Sequence, residues 1–342
     1  MIDWLTLRYP LESLDGPLLA RLKENMLYLS CVDADGVLRW SKQDLDFERL
    51  RSDSPGLYWQ VQGDGVQYWL AVGGSPASIE HGNNVFGSSD IRYCAAVMVR
   101  TACKALQAVL PSADKWQLRR LDYTHNYALP GPREVKQALR VLLGADASRA
   151  RASSMGGDSV GWNVGSDLRM GEAYHKGPQL EKLVKKGKAT ASDEQIALAD
   201  RLLRLELRLK SRFWRRFEQD KQVWWNLTSD DLNAFHLDYF GRFFGSVEVA
   251  DMGQLLNELE RVAPTPGQAL AAHRTWALIK AIGRENAKGS MPRATWGRHL
   301  KFLREAGLSD ADLSAGEIVP FRRHIVVLDH PVMSWADIAR AA

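Results

Sequence analysis

Hydrophobic and polar residues alternate along several stretches of the first two-thirds of the chain. The alternation is strictest over 202–210. There Leu203, Leu205, Leu207 and Leu209 take one parity and Arg204, Glu206, Arg208 and Lys210 the other. Successive side chains on a strand point to opposite faces, so this pattern predicts a strand with one apolar and one charged face. The same period runs through 116–129, placing Arg120, Asp122, Thr124 and Asn126 on one face. It also runs through 168–176, placing Met170, Glu172, Tyr174 and Lys176 together. Nearer the N-terminus, β-rich runs at 2–9, 26–33, 37–40, 57–62 and 66–72 are punctuated by Ala34-Asp35-Gly36 and Gly63-Asp64-Gly65, two hairpin signals. Between these strands the sequence predicts helices over 91–110, begun by Ser88-Ser89-Asp90 as an N-cap with a first-turn acid and stopped by Pro111, and over 132–143, 178–188 and 193–201. Beyond about Trp225 a helical period takes over at 230–244, 252–262, 268–284 and 293–306, with a short β-like run at 318–328.

This order predicts an α+β protein. A mixed, largely antiparallel sheet domain flanked by helices spans 1–226, and a mainly helical domain spans 227–342. In the latter, 268–284 and 291–308 have the layout of a helix-turn-helix, with Phe321-Arg322-Arg323-His324 as a wing. The 342 residues, 45% hydrophobic and 25% charged, suit a soluble globular chain. No run approaches the roughly 20 apolar residues of a membrane span, and the start lacks a signal-peptide layout. Three cysteines without a CxxC exclude a disulfide framework and argue against a zinc ribbon; a reducing cytoplasm is expected. Net charge is +4 but uneven: −3 over 1–110, +8 over 111–226 and −1 over 227–342. A basic middle third fits a polyanionic partner, and equally a solvated basic surface.

The three charged strand faces lie in that basic third, and each mixes acids with cations. One reading is a sheet face turned to water, with Asp122 paired to Arg120 and Glu206 to Arg204 or Arg208. The other gives Asp122 and Glu206 a divalent metal, Mg²⁺ or Mn²⁺, and the cations Arg120, Arg204, Arg208 and Lys210 phosphate oxygens. Asp3 and Glu80 are weaker possibilities for a third acid. Tyr174 is either a half-buried strand tyrosine or a nucleophile whose phenolate Lys176, two residues on, would favour. The histidines lack the His-hydrophobic-His pair of one large nickase class, and neither GxxxxGK[ST] nor GxGxxG is present, so no nucleotide loop is expected. Phe213-Trp214 and Trp224-Trp225 are read as core rings first and base-stacking rings second.

In combination these residues resemble the replication initiators of filamentous bacteriophages, the gene-two-protein family. The resemblance is carried by Met1-Ile2-Asp3-Trp4-Leu5-Thr6-Leu7-Arg8 and by Ser75-Pro76-Ala77 with Gly82-Asn83-Asn84-Val85-Phe86-Gly87-Ser88-Ser89-Asp90. Further on it is carried by Arg120-Leu121-Asp122, Ala173-Tyr174-His175-Lys176 and Arg204-Leu205-Glu206-Leu207-Arg208-Leu209-Lys210. It implies a rolling-circle initiator that nicks the plus strand at a double-stranded phage origin and holds the 5′ phosphate on a tyrosine. The 3′ hydroxyl then primes synthesis, and the displaced strand is later rejoined. By the same resemblance Tyr174 is the nucleophile, Lys176 assists it or binds the scissile phosphate, and Asp122 and Glu206 hold Mg²⁺ or Mn²⁺. Host helicase and polymerase become expected partners, and the host bacterial cytoplasm the expected location. A non-catalytic origin-binding protein or repressor, and a hydrolytic nuclease using water, are the competing readings.

Overall fold

The computed structural model describes residues 1–24, 26–45, 57–63, 67–143, 151–156, 158–243, 252–308, 313 and 330–340. Its strands are β1 (Ile2–Pro10), β2 (Met26–Val32), β3 (Leu38–Leu45), β4 (Leu57–Gly63), β5 (Tyr68–Gly74), β6 (Gln117–Ala128), β7 (Ala152–Ser154), β8 (Ser159–Trp162), β9 (Arg169–His175) and β10 (Leu202–Leu209). Eight of them form one sheet in the order β4-β5-β1-β6-β10-β9-β8-β7, and β2 and β3 pair as a separate ribbon. Among the described residues every pairing is antiparallel, in keeping with the largely antiparallel sheet expected. The helices are α1 (Gly16–Glu24), α2 (Pro76–His81), α3 (Ile91–Leu106), α4 (Pro132–Leu143), α5 (Lys176–Lys185), α6 (Asp193–Ala199), α7 (Ser211–Gln219), α8 (Ser229–Phe240), α9 (Met252–Val262), α10 (Pro266–Ile282), α11 (Arg284–Gly289), α12 (Arg293–Glu305) and α13 (Trp335–Arg340).

The period-two pattern decides which sheet face is dry. Leu203, Leu205, Leu207 and Leu209 of β10, Leu121 and Tyr123 of β6, and Leu5 and Leu7 of β1 enter one apolar cluster with residues of α3, α4, α7 and α8. The opposite parity does not face open water, as a simple amphipathic sheet would. Arg204, Glu206, Asp122, Thr124 and Asn126 are all buried. They lie beneath α5, α6 and the loop after α2, which gather a smaller apolar cluster of Val85, Leu180, Ala199, Leu202 and Ile338. A third cluster, from Leu255 to Leu313, is built by α9, α10, α11 and α12.

Several expected boundaries move. The strand expected to reach Lys176 ends at His175, and Lys176 opens α5 instead. Helix α3 ends at Leu106, short of Pro111, because Gln107 adopts a left-handed φ of 47° and caps it. The expected break at 285–292 contains the short α11. Helix α8, assigned by sequence to the second domain, puts Leu232, Tyr239 and Phe240 into the sheet's own core. Thr228 and Asp231 form the capping box of a helix whose apolar face still belongs to the strands. The β-like run at 318–328 and the expected wing lie outside the described residues. Phe213, Trp214, Trp224 and Trp225 pack in or against the main core, so their first reading stands.

On the dry face the His125 and His236 rings pack tilted by 35°, with centroids 4.0 Å apart. Burial holds His125 down to about 3 and His236 well below the usual imidazole range. In the unfolded chain both titrate near 6.5, so between pH 6.5 and 3 the unfolded state binds more protons and stability falls as pH falls. The expected outcome is a melting temperature that drops on acidification from pH 7 to pH 4.5, measured by circular dichroism. The drop should be clearly smaller in the His125→Phe, His236→Phe double variant; an equal drop would remove these two groups from the acid response.

Candidate active site

The charged strand faces converge because β6, β10 and β9 are neighbours in register. Arg208 stands opposite Asp122 on β6, and Glu206 stands opposite Glu172 on β9. Their side chains form the floor of a cleft of about 950 Å³ that is also lined by Asp3, Asn84, Tyr174 and residues of α5. At its centre the Tyr174 hydroxyl donates to Glu206 Oε2 at 3.1 Å. The other carboxylate oxygen, Oε1, accepts from Arg208 Nε at 2.6 Å. Arg208 also donates to Glu172, and its Nε lies 3.9 Å from Asp122 Oδ2. Arg120 forks both oxygens of Asp122, at 2.9 and 2.6 Å.

The loop after α2 closes the cleft from above. Ser75 caps α2 by accepting from the Ser78 N–H, and Gly82 turns the chain with a φ of 74°. That turn delivers Asn84, whose Nδ2 donates to Asp3 Oδ1 and whose Oδ1 accepts from Lys176 Nζ, both at 2.8 Å. Lys176 Nζ donates also to Gln179 Oε1 at 2.6 Å. Arg204 staples the arrangement from below, donating to Asn126 Oδ1 at 2.7 Å, to the Val85 carbonyl at 2.6 Å and to Asp3 Oδ1 at 3.3 Å.

Burial dominates the electrostatics. It pushes Asp122 up to about 7 against the pull of Arg120, with Glu206 adding to the rise. It raises Asp3 against Arg204, and Glu172 against Arg208. Burial also works to raise Glu206, but Arg208, Arg204 and the Tyr174 hydrogen bond outweigh it and hold this carboxyl below its usual range. Burial and the Glu206 charge hold the Tyr174 phenol well above 10. Burial, with Arg204 nearby, takes the Lys176 ammonium well below its usual range. Glu206 is therefore the anion of the centre and Tyr174 its protonated donor.

Among the expected site residues, Tyr174, Lys176, Asp122, Glu206, Arg120, Arg204 and Arg208 are brought together. Lys176 differs from expectation in its manner: it acts from the first turn of α5, with its ammonium 5.9 Å from the Tyr174 ring centroid and committed to two amide oxygens. Arg204 is 0% exposed and is a clamp inside the fold, not a surface cation. Lys210 sits at the N-cap of α7, away from the cleft lining. Of the two weak third acids, Asp3 enters the centre and Glu80 bonds Tyr93 outside it. Sequence reasoning misses Asn84 and Glu172 as site residues. Glu172 was legible, two residues before Tyr174 on the same face; Asn84 depends on a loop fold that no periodicity reveals.

The donor set is suited in kind to a hard divalent cation, since Asp122, Glu206 and Glu172 converge on one cationic centre. That centre is the Arg208 guanidinium. As the side chains stand, no group of three His, Cys, Asp or Glu among the described residues is arranged around an ion. Ligation would require Arg208 to give way.

The family model for the N-terminal region of the phage gene-two replication-associated protein matches residues 1–234. The replication-associated gene-two protein of Enterobacteria phage M13 is 22% identical over 395 aligned positions, covering 96% of each chain. That of Salmonella phage IKe is 26% identical over 378, covering 92% of this chain and 89% of its own. Among solved structures, a rolling circle replication initiator protein from Geobacillus stearothermophilus aligns with 73% of this chain and 88% of its own, at 12% identity and a TM-score of 0.33, too weak a likeness to fix a shared fold.

Removing a buried partner leaves the opposite charge stranded. Arg204→Leu takes from buried Asp3 its cation and from Asn126 Oδ1 its donor, although Asn84 still donates to Asp3 and Asn126 Nδ2 to the Val85 carbonyl, and it should cost about 3–5 kcal/mol in urea unfolding. A loss below about 1 kcal/mol would show that the clamp is not structural.

Proposed function

The chain belongs to the family of phage gene-two replication-associated proteins, and on that premise we propose that it initiates rolling-circle replication by nicking origin DNA with Tyr174 as nucleophile. The observation that supports this reading is the hydrogen bond from the Tyr174 phenol to Glu206 at the floor of an open, cation-lined cleft. Tyr127 and Tyr239 belong to the dry core instead.

A phenol held above its usual range does not ionise by itself near neutral pH. It must lose its proton as it attacks, and the acceptor is already in place. Tyr174 Oη bonds to phosphorus, its proton passes to Glu206 Oε2, and the bond from phosphorus to the 3′ oxygen breaks; that oxygen leaves with the bonding pair and takes up a proton from water in the open cleft. The 5′ phosphate then stays on Tyr174 and the 3′ hydroxyl is free to prime synthesis. The reverse attack by a 3′ hydroxyl rejoins a strand, so phosphodiester energy is conserved and no nucleotide is needed. Arg120 and Arg208, the partly exposed guanidiniums of the cleft, suit phosphate oxygens. Lys176, whose charged form burial disfavours, bonds Asn84 and Gln179 and so fixes the loop above the tyrosine.

Once Arg208 has given way to the phosphate, Asp122 and Glu206, with Glu172 as the third carboxylate, would hold Mg²⁺ or Mn²⁺. Such an ion, when bound, neutralises charge on the phosphoryl group under attack. The sheet unit performs the chemistry and the helical C-terminal part contributes to reading the double-stranded origin. On α12, Arg298, Lys301 and Arg304 are exposed, whereas His299 bonds Thr275. Host helicase and polymerase would extend the primer, in the bacterial cytoplasm.

The decisive reaction contains supercoiled origin DNA, protein and Mg²⁺ or Mn²⁺. Nicked product with DNA bonded to protein is expected, and Tyr174→Phe should abolish both while origin binding stays within about two-fold. Nicks without adduct would favour water as nucleophile, and binding alone would favour a non-catalytic origin binder. Glu206→Gln should lower nicking by about 10²-fold or more, in line with loss of a general base. In gel-shift assays Arg298→Ala with Lys301→Ala should weaken origin binding and flatten its salt dependence, yet leave cleavage of a single-stranded oligonucleotide unchanged.

A further inference from the structure

The cleft has a second wall that the chemistry above does not use. Trp4 of β1 and Tyr58 of β4 line it, with ring centroids 5.9 Å apart and planes 26° from parallel. Both are only half-buried, although they share the cleft with charged groups. Aromatic rings left to water in such a place gain by being covered.

Two local devices hold the rings in position. The Trp4 indole N–H donates to Thr6 Oγ1 at 3.1 Å. Tyr58 lies across its cross-strand partner Gly73, where a Cβ would overlap the phenol ring. The absent side chain is thus what lets the ring lie down on the sheet. The wall is also tied to the reacting centre. Arg120, which forks Asp122, has its guanidinium 5.6 Å from the Trp4 ring centroid. Trp4 is itself paired with Asp122 across β1 and β6. Further along the same sheet, the Arg8 guanidinium stands 3.8 Å from the Trp69 ring centroid. At the approach to Tyr174 itself, the Trp4 and Tyr58 rings stand beside the Arg120 guanidinium. That composition suits a strand with a π-face on each base and a charge on each phosphate.

We propose that Trp4 and Tyr58 form a stacking platform for an unpaired base of single-stranded DNA, next to the phosphate presented to Tyr174. The platform rests on the nickase reading for its purpose, and its recognition is of the π-face, tolerant of base identity. It separates two tasks within one cleft: the carboxylate and guanidinium cluster handles the phosphate, and the ring pair fixes the register of the strand.

The test places 2-aminopurine at successive positions of a short oligothymidylate and follows its fluorescence on binding to Tyr174→Phe protein, which cannot cut the strand. Stacking should quench one or two positions strongly. Adding Trp4→Leu should abolish that quench and weaken binding about ten-fold or more, as expected for a lost base–ring contact. Trp4→Phe should keep most of the signal. Gly73→Ala, which lifts the Tyr58 ring without removing it, should lose part of it. Equal quench and affinity in folded Trp4→Leu and Tyr58→Leu proteins would overturn the platform, as would failure of the oligonucleotide to bind at all. The two readings fail separately. Quench that depends on Trp4, in a protein that with Tyr174 intact never nicks, supports the platform and sinks the nickase. Nicking with a quench indifferent to Trp4 does the reverse.

Discussion

A phenol hydrogen-bonded to a buried carboxylate sets the terms for the rest of the cleft. Glu206 stays ionised beneath the sheet surface only because Arg208, Arg204 and Tyr174 surround it. Each of the two arginines is drawn into further pairings. Arg208 reaches Glu172 and approaches Asp122, and Arg204 holds Asp3 and the carbonyl of Val85. Buried charges in a low-dielectric interior must be compensated, so one ionised residue accounts for a network spanning β1, β6, β9, β10 and the loop after α2. Functional geometry and structural necessity are the same set of bonds here.

Much of this was legible in the sequence. The strict alternation over β10 identified both faces of a central strand, and the neighbouring strands repeated the pattern. Antiparallel pairing then forced Asp122, Glu206 and Tyr174 onto one surface. Two things were not legible. Periodicity says which face a residue takes but not what covers that face, so the polar parity looked like a solvent surface until α5 and the Asn84 loop roofed it. Local pattern also cannot place an element end that is decided by tertiary contacts. Lys176 continues the alternation of β9 in sequence, yet His175 closes the strand by bonding Asp200, and the chain turns into a helix there. For the same reason α8 read as part of a helical domain, although its apolar residues complete the sheet's core.

The carboxylate centre and the ring pair divide the labour in a way that fits the proposed reaction. Duplex DNA cannot present a phosphate to a buried phenol without local opening, because the cleft is lined on one side by α5 and on the other by β1 and β4. An opened strand can enter, with its bases covering rings and its phosphates meeting guanidiniums. On the proposed reading, recognition of the duplex origin falls to surfaces elsewhere, and the exposed basic side of α12 is the one proposed for it.

The claim on which this account turns is that Tyr174 is the atom donor to the strand. It is tested most directly by digesting the covalent protein–DNA product with trypsin and identifying the modified peptide by mass spectrometry. Cleavage after Arg169 and Lys176 releases residues 170–176, whose one tyrosine is Tyr174. The account predicts the nucleotide mass on that peptide and on no other. A nucleotide on any other peptide would contradict it.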